Sequence, residues 1–298
     1  MCEHTGIVAH GLEGVVETIR GTAAMAFLAV NTVLWCLPIY ALGALRLATP
    51  RAGKVVLGNG MFRALDAWVR CTRWMVPALG VTRIDSALGP NDDAPLRRDG
   101  WFIVVSNHQS WADILVLVIA LYDRLPPFKF FTKRELLWVP LLGFALWFLD
   151  YPLVRRYGRA RLEQDPALGE RERRATQKAC ERFGERPTSV LIFLEGTRFT
   201  LAKRDAQQSP YTHLLRPKAG GVRMVLEALG GQLDAIVDVT ITYAGSPPDF
   251  WDFLCGRCPA VRLRARTVAA PDAEADAVRL WADALWLEKD RRLAAPTT

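Results

Sequence analysis

The chain has 298 residues, 51% hydrophobic and 23% charged, enough apolar material for one large domain with an appendage. Its net charge of +7 points to an anionic partner, but the basic residues form no recognisable nucleic-acid module, which argues against nucleic acid as that partner. The six cysteines, at positions 2, 36, 71, 180, 255 and 258, are too unevenly spaced for a disulfide framework, and the Cys255–Cys258 pair lacks the further ligands a zinc site needs.

Between Arg20 and Arg46 lie 25 residues without a formal charge. As one helix they would rise about 37 Å, more than the roughly 30 Å hydrocarbon core of a bilayer. The run starts too far from the N-terminus, and lacks the small-residue cleavage site, to read as a signal peptide. Asn31 near its centre and Pro38 beyond it leave two geometries open, a single span and a re-entrant hairpin. Residues 55–79 follow as a helix, with Leu57, Met61, Leu65, Trp68 and Val69 at three- and four-residue spacing. The polar stretch from Ser86 to Gly100 marks a boundary. It divides an N-terminal membrane anchor and connecting helix, residues 1–85, from a second domain, residues 86–298.

From Trp101 the pattern alternates. Residues 101–106 (WFIVVS) read as a buried strand, 111–122 as a helix and 128–132 (FKFFT) as a short strand. The apolar run 136–149 is too short to span a bilayer and suits an interfacial or a core helix. Helices are predicted over 166–183 and 220–229. Residues 188–194 and 234–243, rich in β-branched side chains, read as central strands. Residues 261–267 alternate apolar and basic, as an edge or half-exposed strand would. The order predicts an α/β fold, a mixed sheet covered by helices, with an N-terminal membrane-anchoring helical segment.

Two clusters that carry chemistry stand directly after predicted strands. The first is Asn107-His108-Gln109-Ser110-Trp111-Ala112-Asp113. Ser110 can cap the helix that follows, and a turn can bring Asp113 back to His108. The carboxylate would then fix the imidazole tautomer and leave the other ring nitrogen to take a proton from an alcohol. A capped helix with an incidental histidine fits the same residues. His4, His10 and His213 stand in worse places for a base, near the terminus or in a polar loop. The second cluster is Glu195-Gly196-Thr197-Arg198. Carboxyl ends of strands share a crevice in α/β sheets, so the two clusters are expected to face one site. Gly196 permits close backbone approach, Arg198 offers a fork for phosphate, and Glu195 can orient Arg198 or the hydroxyls of a ligand.

NHQSWAD and FLEGTR, in this order, resemble motifs of the glycerophospholipid acyltransferase superfamily, the lysophosphatidic acid acyltransferases among them. Lys133-Arg134-Glu135-Leu136 with Pro140-Leu141-Leu142-Gly143, and then residues 150–156, are similar to its second motif, and Leu215-Arg216-Pro217-Lys218-Ala219-Gly220-Gly221 to its fourth. Residues 145–159 and the C-terminal Leu287-Glu288-Lys289-Asp290 resemble the lysocardiolipin and lysophosphatidylinositol acyltransferase branch. The resemblance implies acyl transfer from acyl-CoA or acyl-carrier protein, as co-substrate and with no other cofactor, to the free hydroxyl of lysophosphatidic acid or another lysophospholipid. It makes His108 the general base and Asp113 its orienter. Glu195, Gly196, Thr197 and Arg198 would bind the phosphate-bearing acceptor, with Arg155, Arg156 and Lys218 assisting. Residues 136–149 would supply an acyl groove or an interfacial contact. No metal is expected, because His108 and Asp113 lack a third ligand. A phospholipid membrane is the expected partner, at the inner or cytoplasmic membrane with the catalytic domain in the cytoplasm. Two other readings fit the sequence: a different acceptor, such as glycerol phosphate or an aminoacyl lipid, and a noncatalytic membrane-anchored lipid-binding protein.

Overall fold

The computed structural model describes residues 2–88, 96–154 and 164–294. Its N-terminal helix α1 (Cys2–Ala48) runs straight through the apolar stretch and past Pro38. The chain turns back only at residues 49–50, and α2 (Arg51–Ala78) returns antiparallel beside α1. Asn31 explains how a polar residue is accommodated midway: its amide donates to Trp68 O at 3.1 Å and Thr72 Oγ1 at 3.0 Å on α2. Trp68 Nε1 answers with a bond to Thr32 Oγ1. Residues 12–48 form one candidate membrane helix by length and composition, and only 22% of its most apolar window is buried. Val30, Leu34 and Leu37 face outward, while Ala24, Leu28, Cys36 and Ile39 on the other side join the core.

The main sheet has six strands: β1 (Arg83–Leu88), β2 (Trp101–Ser106), β3 (Phe128–Phe130), β6 (Thr188–Phe193), β7 (Ala235–Tyr243) and β8 (Ala260–Val268). Their order is β1-β8-β7-β2-β6-β3. Strands β7, β2, β6 and β3 are parallel, with Val104 opposite both Leu191 and Val237, while β8 runs antiparallel to β7. A second, two-stranded sheet pairs β4 (Thr132–Lys133) with β5 (Leu153–Val154).

Residues of β2 face alternately into two layers. Phe102 and Val104 pack with α3 (Asp113–Leu121), α2 and α8 (Phe250–Cys255) through Leu117, Met75 and Phe253. Ile103 and Val105 pack against Cys180 of α5 (Pro166–Glu181), Val222 and Val225 of α7 (Gly220–Leu229), and Trp286 of α9 (Ala275–Ala294). Burial on both faces is why β2, β6 and β7 are apolar or β-branched at most positions.

Three expectations need correction. Of the two alternatives for residues 261–267 the half-exposed strand holds and the edge does not: β8 alternates buried and outward residues, and β1 covers its far side. Strand β1 spans the boundary drawn between residues 85 and 86, because Arg83 to Leu88 pair with β8. Residues 136–149 do not form one helix. A 3-10 turn (Arg134–Trp138) ends before Pro140, Leu141 adopts φ 64°, and α4 (Leu142–Phe148) starts afresh. Gly143 packs onto the carbonyls of Leu136 and Leu137, where any side chain would collide.

Candidate active site

Strands β2 and β6 end in register, Ser106 opposite Phe193, and β7 continues past them to Tyr243. Asn107 extends the β2 ladder with its side chain. Its amide donates to Ile241 O and accepts from Ile241 N, both at 2.9 Å, matching one donor and one acceptor to a backbone edge. This buried asparagine fixes where the chain leaves the sheet.

Residues 108–112 then fold as a turn around the Asp113 carboxylate. Its Oδ2 accepts from His108 Nδ1 at 2.8 Å, Gln109 N at 2.6 Å and Ser110 N at 2.9 Å. Oδ1 accepts from the Tyr243 hydroxyl. Asp113 is fully buried, whereas the His108 ring keeps 13% exposure. A carboxylate only accepts, so the ring proton is assigned to Nδ1 and Nε2 is left as the acceptor. Phe193 stacks on the ring at 4.0 Å between centroids and 14° between planes. Ser110 does not cap α3 as expected. Its hydroxyl donates to Pro248 O and accepts from Ala112 N, and the helix begins only at Asp113.

The second cluster meets the first. Glu195 is fully buried, and its oxygens accept from His108 N at 2.8 Å and Leu215 N at 2.9 Å. Burial pushes its carboxyl up to about 7. The sequence suggests Arg198 or a ligand as the partner of Glu195. The fold instead uses it to tie together the His108 turn and the loop before Lys218. Phe199 N donates to His108 O at 2.7 Å, and Lys218 N to Leu194 O at 2.7 Å. Gly196 has φ +68°, a conformation that favours glycine, and the Lys218 side chain lies across it. The Arg198 guanidinium stands 4.4 Å from the ring centroid of Trp111, which is 59% exposed on the His108 turn. His108, Asp113, Glu195, Gly196, Thr197, Arg198 and Lys218 thus converge on one end of the sheet. Arg155 and Arg156 lie outside the described residues.

Four contributors were given no role by sequence reasoning, although Phe193 opens the FLEGTR motif and Asp290 closes the C-terminal block. Tyr243 and Phe193 are the last residues of β7 and β6, so the parallel sheet rule already pointed to their end of the sheet. Trp286 Nε1 donates to Leu215 O, and Asp290 accepts from Thr212 N and His213 N, so α9 clamps the loop leading to Lys218. Asp290 stands in the C-terminal block that carries the branch resemblance, whereas nothing in the sequence distinguishes Trp286 from ordinary helix packing.

The sequence model of the acyltransferase family matches residues 91–244, just over half of the chain and all of the constellation described up to Tyr243. The chain belongs to the acyltransferase family. This acyltransferase is 25% identical over 225 residues to 1-acyl-sn-glycerol-3-phosphate acyltransferase epsilon of Mus musculus, covering 67% of the chain and 59% of the relative. It is 27% identical over 209 residues to 1-acyl-sn-glycerol-3-phosphate acyltransferase 3 of Arabidopsis thaliana, covering 64% and 52%. Lysocardiolipin acyltransferase 1 of Gallus gallus is 26% identical over 208 residues, covering 64% and 52%. The chain spans about half the length of the curated relatives it matches. The crystal structure of the 1-acyl-sn-glycerophosphate (LPA) acyltransferase PlsC from Thermotoga maritima is similar with a TM-score of 0.54, at 16% identity, over 94% of this chain and 99% of that one. The similarity to PlsC is one of fold. It takes in α1 and α2 as well as the α/β layers.

Proposed function

We propose that this acyltransferase moves a fatty acyl group from acyl-CoA or acyl-carrier protein to the free hydroxyl of lysophosphatidic acid or another lysophospholipid. The reading is carried by one observation: His108 Nδ1 lies 2.8 Å from the buried Asp113 carboxylate, on a turn that also seats Arg198 against Trp111. Nε2 of His108 accepts the proton of the acceptor hydroxyl as that oxygen attacks the thioester carbonyl. The tetrahedral adduct collapses, the carbon–sulfur bond breaks, and the imidazolium returns the proton to the departing thiolate. Asp113 holds the tautomer and meets the imidazolium charge. Direct transfer suits the surroundings, since the neighbouring hydroxyls are engaged elsewhere: Ser106 donates to Asn107 O and Ser110 to Pro248 O. Arg198 and Lys218 provide positive charge for the acceptor's phosphate.

A lipid acceptor calls for a site at the bilayer, and the candidate membrane helix is fastened to the α/β layers at both ends. Arg20 Nη1 donates to Cys255 O at one end, and Gly43 abuts the Phe148 ring at the other. The α/β layers therefore accompany α1 to the membrane, which we place at the cytoplasmic face where thioester donors are at hand. The test is a panel of lysolipids, glycerol phosphate and aminoacyl lipids incubated with defined acyl donors, with products read by mass spectrometry. A diacyl product from the wild type that disappears in His108→Ala supports the proposal. Undiminished transfer by that variant overturns it.

A further inference from the structure

Lys203 takes no part in the motifs read from the sequence, yet the fold turns it back onto them. It lies in α6 (Leu201–Ala206), whose first residues are fixed by Thr200, the side chain of which accepts from Lys203 N at 3.2 Å. From there its ammonium donates to Thr197 Oγ1 and to Arg198 O, both at 2.9 Å. These are the hydroxyl just before Arg198 and the carbonyl of Arg198 itself. Lys203 therefore closes the 197–203 loop from inside, while Trp111 supports the Arg198 guanidinium from outside. The next peptide, Phe199 N, is bonded to His108 O, so the same loop is tied to the base.

Arg46, Arg98, Arg182 and Arg266 each meet a carboxylate. Among the described residues, no carboxylate is within ion-pair reach of Arg198, Lys203 or Lys218. Three neighbouring cations left unneutralised by the protein make a local positive field that an anionic ligand can complete. The ammonium of Lys203 is half-buried and spends two of its three protons on neutral acceptors that set the course of the loop.

We infer that Lys203 is a positioning residue for the phosphate-bearing acceptor: it acts through Thr197 and Arg198 to hold the guanidinium toward the cleft, and it serves acceptor binding and not donor binding. The inference rests on the function proposed above. Full-length protein in mixed micelles would be assayed with lysophosphatidic acid and acyl-CoA varied in turn, for wild type, Lys203→Met, Lys203→Arg, Thr197→Val and the Lys203→Met/Thr197→Val pair. Lys203→Met is expected to raise KM for lysophosphatidic acid about tenfold, the scale of one lost charge-assisted hydrogen bond, with KM for acyl-CoA unchanged. Lys203→Arg should recover most of that loss, and the double variant should cost less than the two single losses combined.

Thermal melts of each variant accompany the kinetics, and Lys203→Arg keeps the charge should Lys203→Met fold poorly. Wild-type turnover with an unchanged acceptor KM in Lys203→Met overturns this inference alone. So does a loss shared equally by both KM values and kcat without rescue by arginine. Failure of the wild type to acylate any lysophospholipid overturns the functional proposal, and this inference with it.

Discussion

The Tyr243 hydroxyl donates to Oδ1 of Asp113, the carboxylate oxygen that His108 leaves unused. His108, Asp113 and the last residue of β7 thus form one chain of hydrogen bonds, buried at the tyrosine and open only at the imidazole. Burial, with the Asp113 charge beside it, drives the tyrosine hydroxyl far above its ordinary range, so it stays a donor. Tyr243→Phe removes that donor and leaves a buried carboxylate oxygen unmatched. The expected cost is about 1–3 kcal/mol of stability, with a several-fold drop in kcat as the Asp113 side chain loosens. Urea unfolding and steady-state rates on the same preparation check both; unchanged values in both would mean the bond does not matter.

His108→Ala should reduce kcat by about 10² to 10⁴, the range for loss of a general base, and leave the melting temperature near wild type. Asp113→Asn presents an amide donor to one face of a pocket built entirely of donors, so it should lose both activity and stability. A His108→Ala protein retaining more than a tenth of wild-type kcat would remove the imidazole from the mechanism.

Glu195 links stability to pH. Its carboxyl titrates near 7 in the fold, against about 4.5 for an exposed glutamate, because burial disfavours the charged form. The folded state therefore binds this proton more tightly than the unfolded state. The resulting stabilisation is complete below about 4.5 and is lost as pH rises through about 7, at a slope of at most about 1.4 kcal/mol per unit. Glu195→Gln lacks the titration, though it loses one acceptor at all pH values. Melts at pH 5, 6, 7 and 8 should show the wild type losing ground against Glu195→Gln up to about pH 7 and running parallel above it. Parallel curves throughout would place the titration elsewhere.

Trp138, 86% exposed, ends the turn that packs on α4, and α4 carries Phe144 at 55% and Trp147 at 43% exposure and packs on α1. So large an apolar surface fits a lipid contact better than open water. Trp138→Ser combined with Phe144→Ser should weaken partition into anionic vesicles at least tenfold, since each such side chain is worth about 1.5–3 kcal/mol on burial. Activity on micellar substrate should be retained. Sedimentation with vesicles measures the first, and equal sedimentation of wild type and variant would show that this surface stays in water.

Much of the fold is legible in the sequence alone. Strands β2, β6 and β7 are mostly apolar or β-branched because both of their faces are covered, and runs so short and so rich in such residues suit a central strand above all. The two clusters are legible as one site because parallel strands deliver their ends to the same side. Strand β1 is not, since RIDSAL has no apolar period and pairs on one side only. The break at Pro140 is hidden by composition, which is equally apolar in a continuous helix and in a turn followed by a short one. Charge after a strand suggests contact with a ligand, which is how Glu195 reads in the sequence, while its complete burial depends on segments 20 and 87 residues away. Tyr243 lies 130 residues from Asp113, beyond any local pattern.

Those separations also set a timetable. Asn107 waits for Ile241, 134 residues downstream, before the end of β2 is fixed, and the Asp113 carboxylate receives its last donor only when residue 243 arrives. Pairings this distant close slowly, because the intervening loop entropy is lost before the contact repays it. The greasy hairpin of α1 and α2, by contrast, is made from neighbours and leaves the ribosome ahead of the sheet. The helical hairpin is thus complete before the turn around Asp113 has received all of its partners, which come from the last strands to be synthesised.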